Sequence, residues 1–334
     1  MGTGTESQQV AREKLAILRI LADSSKPIGS KVIARMLKEG YGIELSERAV
    51  RYHLGFMDEM GLTAKVSRRD GRALTERGQE ELGDALVADK LGFVIDKIEL
   101  LAYQTTFDPF KMTGLIPINF SIFPQESFKE ACKAMAPIFK AGLCASHLVA
   151  VVKGGQRLNG PPVPEGSVGL ATVCSIVING TLLKAGIPMD SRFGGILQLN
   201  RRQPWRFTDL VQYSGSSLDP SEIFISGRKT SVAQAAKNGD GKIVANFREI
   251  PAVSVGTAEK TIERLQKAGI NGPLALGEPS RPLCEISVGL NKVGMVLIGG
   301  LNPVAAAVEA NVCTMNKAMS RVIDFKELKS FWEI

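Results

Sequence analysis

Residues 46–78 read SERAVRYHLGFMDEMGLTAKVSRRDGRALTERG. Ser46 opens a helix that places Val50, Leu54 and Met57 on one face, and Gly61 stands where a left-handed residue would end it. The stretches 62–66 and 73–74 then flank a basic segment, 67–72, in which Asp70-Gly71 is a tight-turn signal. Thr75 is set to cap a further helix. Upstream, residues 10–21 carry Leu15, Leu18, Ile20 and Leu21 at helical spacing until Ser24-Ser25-Lys26-Pro27 interrupts them. A second helix is predicted from Ser30, with Val32, Ile33 and Leu37 inward and Gly40-Tyr41-Gly42 closing it. Three helices and a two-stranded basic hairpin make a winged helix-turn-helix.

The charges follow that geometry. A recognition helix presents its first turns to base edges in the major groove. Here those turns carry Ser46, Glu47, Arg48, Arg51 and Tyr52, and either arginine is suited to a bidentate contact with guanine. Lys65, Arg68, Arg69 and Arg72 load the wing with positive charge, which suits phosphates or a minor groove. Asp58 and Glu59 fall at the far end of the helix. A protein-binding winged helix is the competing reading, and this segregation of charge favours DNA. His53 has no second ligand at metal-like spacing and is read as a packing or phosphate-contact residue.

The 334 residues suit two domains, and 44% hydrophobic against 22% charged residues provides for real cores. A net charge of +7 is compatible with a nucleic-acid partner. Five scattered cysteines without a CxxC pair, and only two histidines, argue against a disulfide framework or structural zinc. Free thiols and a polar N-terminus place the protein in the cytoplasm. The apolar run 293–298 is too short to span a membrane.

From about residue 105 the pattern changes to alternating strands and helices. Strands are predicted at 115–123 and 147–152, and a helix at 126–141. A Gly/Pro-rich excursion, KGGQRLNGPPVPEGS (153–167), is read as a lid or hairpin. The run 168–188 is read as a hairpin of two long strands turning at Asn179-Gly180. MDSRFGG (189–195) is read as a loop. KIVANFREIP (242–251) is a strand, and 258–267 a helix. VGMVLIGGLNPVAAAVEA (293–310) is a buried strand, a Gly-Gly turn, and a helix capped by Asn302 with Pro303 in first position. The fold class is therefore an N-terminal winged helix-turn-helix followed by an α+β or mixed α/β domain. Domain limits fall at 1–82, a linker helix region at 83–104, and 105–334. The linker repeats Leu82, Leu86, Leu91, Val94, Ile98 and Leu101 at helical spacing, which suits either dimerisation or packing on its own domain.

Three places suit a small anionic ligand. Gly299-Gly300-Leu301-Asn302-Pro303 combines close backbone approach with a helix start. Asp190-Ser191-Arg192-Phe193-Gly194-Gly195 offers an arginine to a carboxylate. Asn246-Phe247-Arg248-Glu249 lies at a strand end. Cys174, amid apolar residues, is read as a packing thiol. As a nucleophile it would need a base, and His147 is the only histidine in this part. No phosphate loop, dinucleotide fingerprint or paired-histidine metal motif occurs, so no catalytic residue, metal or cofactor is assigned.

In this order, LTERG (74–78), TVCSIVINGTLLKAGIP (172–188), SRFGG (191–195), ANFREIP (245–251) and IGGLNPVAAAVEA (298–310) resemble the NrpR family of nitrogen-responsive repressors over essentially the whole chain. The resemblance implies repression of nitrogen-assimilation genes from inverted-repeat operators. It also implies a control domain whose binding of 2-oxoglutarate lowers DNA affinity. With the loop chemistry above, it nominates Cys174, Ser191, Arg192, Gly194, Gly195, Arg248, Gly299, Gly300 and Asn302 for the effector. Some members carry two tandem control domains, and this chain has room for one. The expected state is a homodimer on double-stranded DNA, with a second NrpR-family protein as a further candidate partner. Two rivals remain: a control domain that turns over a small molecule through Cys174 or His147, and a regulator sensing another carboxylate.

Overall fold

The structure is a computed structural model that describes residues 3–24, 26–67, 71–84 and 92–334. The chain divides into two compact units, Met1–Lys90 with Arg157–Pro162, and Leu91–Gln156 with Val163–Ile334.

The first unit contains α1 (Thr3–Asp23), α2 (Ser30–Tyr41), α3 (Glu47–Glu59), β1 (Thr63–Ser67), β2 (Gly71–Leu74) and α4 (Glu76–Asp84). It is a winged helix. Ile17, Ile20, Ile33, Leu37, Val50, Leu54 and Met57 form one buried core. Ser46 caps α3 by accepting the N–H of Ala49. Gly61 takes the left-handed conformation (φ 71°) that ends it. β1 and β2 pair antiparallel, Thr63 opposite Leu74 and Lys65 opposite Arg72. Arg72 also exchanges both backbone hydrogen bonds with Ile28, so the wing is anchored to the segment between α1 and α2. The Asp70 half of the proposed turn, with Arg68 and Arg69, lies outside the described residues. Ser30 does not cap α2: that position belongs to Gly29, and the Ser30 hydroxyl donates to Glu47 instead, 3.1 Å.

The second unit begins with α5 (Phe93–Gln104), the helix read from sequence as a linker. Its Val94, Ile98, Leu101 and Ala102 are buried in this unit's core. Two five-stranded sheets follow, both antiparallel throughout. One runs β7-β6-β8-β10-β9 and the other β11-β3-β5-β4-β12. Their strands are β3 (Leu115–Pro124), β4 (Leu148–Lys153), β5 (Ser167–Val173), β6 (Asp190–Asn200), β7 (Gln203–Gln212), β8 (Gly241–Pro251), β9 (Ala275–Leu276), β10 (Lys292–Ile298), β11 (Met315–Asp324) and β12 (Lys329–Ser330). The helices are α6 (Phe128–Lys140), α7 (Ile176–Lys184), α8 (Pro220–Ser226), α9 (Val232–Asn238), α10 (Val255–Lys267) and α11 (Asn302–Glu309). Among the described residues no helix is long and apolar enough to cross a membrane.

The predicted hairpin over 168–188 is not formed. Only β5 is a strand, and the rest is α7, with Asn179-Gly180 in mid-helix. Every residue from Ile176 to Leu182 is buried, so this helix has no polar stripe and its sequence carries no 3.6-residue period to read. Gly180 is there for contact: a Cβ would lie 2.4 Å from the Thr105 side chain and 2.8 Å from the Ala102 carbonyl. Residues 190–195, read as a loop, are the first half of β6, held between β7 and β8. The stretch 203–238, left unassigned from sequence, supplies β7, α8 and α9. The Gly/Pro-rich excursion is a hairpin extension of β4 and β5, with Gly155 donating to Val163 and Val163 to Gln156.

Asn302 lies one residue inside α11, whose N-cap is Leu301. Fully buried, it accepts from the N–H of Val244 (2.8 Å) and donates to the Val244 carbonyl (3.0 Å). Asn302→Ala leaves the buried Val244 N–H without its partner and takes one of two donors from the Val244 carbonyl, which keeps Gly299 N–H, and should cost about 1–3 kcal/mol in urea unfolding. A loss under about 0.5 kcal/mol would mean that this clamp does not hold β8 to α11.

Candidate functional site

On the winged helix, the candidate base-reading residues share an exposed face at the start of α3. Ser46, Glu47, Arg48 and Arg51 are exposed, and Tyr52 is 76% exposed. Glu47 is held in place: its carboxylate accepts from Ser30 and lies 3.6 Å from Arg51. The side chains of Arg48 and Lys65 make no hydrogen bond or ion pair with other described residues and are exposed. Arg72 differs from them. Its Nε donates to Asp58 at 2.7 Å, and Asp58 also accepts from Thr63. The acidic end of α3 therefore ties down the wing through the Nε of Arg72. His53 is buried, with Nε2 3.2 Å from the Glu13 carboxylate, so it belongs to the core and not to the exposed face.

In the second unit the central feature is Arg248. It stands on β8 and is only 1% exposed. Its Nη1 reaches the carbonyl of Phe247 at 3.3 Å and its guanidinium lies 4.8 Å from the Tyr213 ring centre. Its Nε is buried without a hydrogen-bond partner. Among the described residues no carboxylate comes within ion-pairing distance of it. A buried cation left in this state is costly unless an anion meets it.

Polar groups converge around it. Asn246 donates to Ser175 (3.2 Å) and accepts from the Tyr213 hydroxyl. Burial pushes the Tyr213 phenol up to about 12, so it remains a donor at physiological pH. Ser191 is the cross-strand partner of Arg248, on the same sheet face. It accepts from Asn179 Nδ2 at 3.1 Å, and Asn179 Oδ1 is a second buried atom without a partner. Asn179 and Ser191 also line a cavity of ≈ 590 Å³ with Arg192 and Gln212 on its polar side and Ile98 and Leu183 on its apolar side.

Among the residues nominated from sequence, Cys174, Ser191 and Arg248 fall into this cluster. Burial pushes the Cys174 thiol up to about 11, against the smaller influences of the Ile176 N–H and the Arg248 charge. Gly194 is needed behind it: a Cβ there would sit 2.9 Å from the Tyr213 hydroxyl. Arg192 already pairs with Glu249 at 2.8 Å. Burial pushes that carboxyl up, but hydrogen bonds from Lys292, the Gly289 N–H and Arg192 outweigh it and hold it below its ordinary range. Lys292 also binds Asp190 at 2.8 Å, and this ion network borders the cavity. Gly195 and Gly299 allow backbone contact with Asp209 and Val244, and Gly300 sits against Val173 and Asn119. Gly195, Gly299 and Gly300 thus meet neighbouring backbone or side chains, and Asn302 clamps Val244.

Three residues of the cluster escaped the sequence reading: Ser175, Asn179 and Tyr213. On a strand, 175 and 179 carry no special relation. On a helix they are one turn apart and share a face, so misreading α7 concealed them. Tyr213 follows the unassigned β7.

Among the described residues no group of three His, Cys, Asp or Glu side chains is placed to hold a metal. His147 is exposed and lines a shallow pocket with Phe139 and Trp332, and it is absent from the groups that influence Cys174. A thiol titrating near 11 is about one part in a thousand thiolate at pH 8. Iodoacetamide at pH 8 should therefore label exposed Cys313 and spare Cys174 until the protein is unfolded, as read by peptide mass spectrometry. Equal labelling of both in the folded protein would contradict a buried, unactivated Cys174.

Comparison with known proteins follows the division into two units. The family model for NrpR regulatory domains NRD1 and 2 matches residues 91–330, and that for the Ribonuclease R winged-helix domain matches residues 15–82. The global nitrogen regulator NrpRI of Methanosarcina mazei is 37% identical over 321 residues, covering 96% of this chain and 98% of that protein. The global nitrogen regulator NrpR of Methanococcus maripaludis is 33% identical over 95% of this chain, which spans 56% of its length. The crystal structure of a nitrogen repressor-like protein from Methanococcus jannaschii matches with a TM-score of 0.60 at 28% identity, over 71% of this chain and 98% of that one.

Proposed function

The chain belongs to the NrpR family of nitrogen regulators, and from that premise we propose that it represses nitrogen-assimilation genes as a homodimer on inverted-repeat DNA. In this reading 2-oxoglutarate, bound in the second unit, lowers its affinity for DNA. The protein senses the ligand and does not turn it over.

For DNA, the support is the exposed face of α3. Arg48 and Arg51 suit guanine edges, and Lys65 suits phosphate. Two copies of α3, about 34–36 Å apart, would meet successive turns of the major groove.

For the effector, the observation that carries the reading is the buried Arg248 with its unpartnered Nε. A dicarboxylate fits the chemistry present. Arg248 supplies the charge, Ser175 and Tyr213 supply hydroxyls, and Asn179 and Ser191 stand between the arginine and an adjoining cavity large enough for a five-carbon acid. The ligand shifts DNA affinity only to the extent that it binds the two dimer states unequally. The account therefore requires a dimer geometry that the liganded second unit favours and that separates the two α3 helices wrongly for DNA.

Fluorescence anisotropy on a labelled inverted-repeat duplex, at fixed salt, tests both halves. Arg48→Ala and Arg51→Ala should each weaken binding by about 5- to 150-fold, the equivalent of ~1–3 kcal/mol for a base contact. Millimolar 2-oxoglutarate should release wild-type protein and leave Arg248→Met on the duplex. Release of Arg248→Met at the same ligand concentration as wild type would remove Arg248 from the effector site. Release by succinate or citrate in place of 2-oxoglutarate would keep the site and change its ligand.

A further inference from the structure

The second unit contains a β-α-β-β-α-β motif written twice. The segment β3, α6, β4, β5, α7, β6 (115–200) recurs as β8, α10, β9, β10, α11, β11 (241–324). Details recur with it. NFSIFP (119–124) returns as NFREIP (246–251), and KAGL (140–143) as KAGI (267–270). Ser127 donates to the Pro124 carbonyl and Ser254 to that of Pro251. Cys174 N–H donates to Pro117 and Gly299 N–H to Val244, both at 2.9 Å. Gly169 lies against the Phe120 ring as Gly294 lies against that of Phe247. The last strand of each copy leaves its own sheet: β6 pairs with β8 and β11 with β3.

This exchange gives the fold two equivalent positions, each where the start of one copy's second helix meets the first strand of the other copy. One is the Arg248 cluster, with Ser175 and Asn179 from the first copy and Asn246 and Arg248 from the second. At the other, Asn119 plays the part of Asn246, and the remaining residues are replaced. Gly300 stands for Ser175, Val304 for Asn179, Asn316 for Ser191 and Ser121 for Arg248. A Cβ on Gly300 would be 2.6 Å from Asn119 Nδ2, so helix and strand touch directly. Gly194, which makes room for Tyr213, corresponds to Met319. That residue is 6% exposed, has φ 48°, and donates its N–H to Asn119 at 3.0 Å.

We infer that the chain descends from a symmetric two-site unit and binds one small anion, not two: the Arg248 position is retained and the Ser121 position is closed by Met319 and Gly300. Arg248, Tyr213 and Ser175 are then the residues that separate a binding position from a closed one. Because the site draws on both copies, its ligand ties them together. This inference rests on the effector reading for its ligand, and on the duplication for its count.

Isothermal titration of the full chain with 2-oxoglutarate should give one ligand per chain. Ser121→Ala should leave count and affinity unchanged. Arg248→Met and Tyr213→Phe should abolish binding and weaken it at least tenfold respectively, with folding checked by thermal melts. Two ligands per chain, or binding that survives Arg248→Met and is lost in Ser121→Ala, would overturn the inference while sparing the effector reading. If 2-oxoglutarate gives no heat and succinate or phosphate binds once, dependent on Arg248, the count stands and the effector assignment falls. Binding of none of these anions would overturn both.

Discussion

The regulatory unit is organised around one electrostatic constraint, the Arg248 guanidinium held almost wholly out of water without an ion-pair partner among the described residues. Lone buried cations are disfavoured by several kcal/mol even after relaxation, and the surroundings show how this one is accommodated. The Tyr213 ring faces it, and the Tyr213 hydroxyl is fixed by Asn246, itself tied to Ser175 on the helix opposite. Gly194 gives up its side chain so that the tyrosine fits. Arg192, next in sequence to the Ser191 that faces Arg248 across the ladder, is by contrast already paired with Glu249. Two arginines on adjacent strands thus have opposite conditions, one ion-paired at the cavity rim and one buried without a carboxylate partner among the described residues.

The winged helix was legible in sequence because its determinants are local. The apolar positions of α3, the cap at Ser46, the left-handed Gly61 and the capping Thr75 each act within a few residues. The segregation of charge on α3 was legible too, with one refinement. Asp58 does not stand idle at the far end of α3 but accepts a hydrogen bond from the Nε of Arg72. Ser30 departs from the local signal because Gly29 occupies the cap and the hydroxyl turns to Glu47.

The second unit was less legible for definite reasons. A helix buried on all sides, such as α7, has no amphipathic signal, and its β-branched residues imitate a strand. Its mid-helix Gly180 imitates a turn while serving contact with Thr105. Strand exchange between the two copies makes β6 and β11 depend on partners that no local window contains. Of the residues nominated from motifs, Ser191 and Arg248 stand opposite each other because SRFGG and ANFREIP are adjacent in the ladder. The Gly299-Gly300 turn has close backbone approach, with Val244 against Gly299 and Val173 against Gly300.

The central claim is that an anion completes Arg248. A crystal structure of the full chain grown with 2-oxoglutarate tests it most directly. The account predicts one carboxylate within hydrogen-bonding distance of the Arg248 guanidinium, with Ser175 or Tyr213 as a further contact. Ligand bound elsewhere in the second unit, with the Arg248 surroundings unchanged, would contradict it.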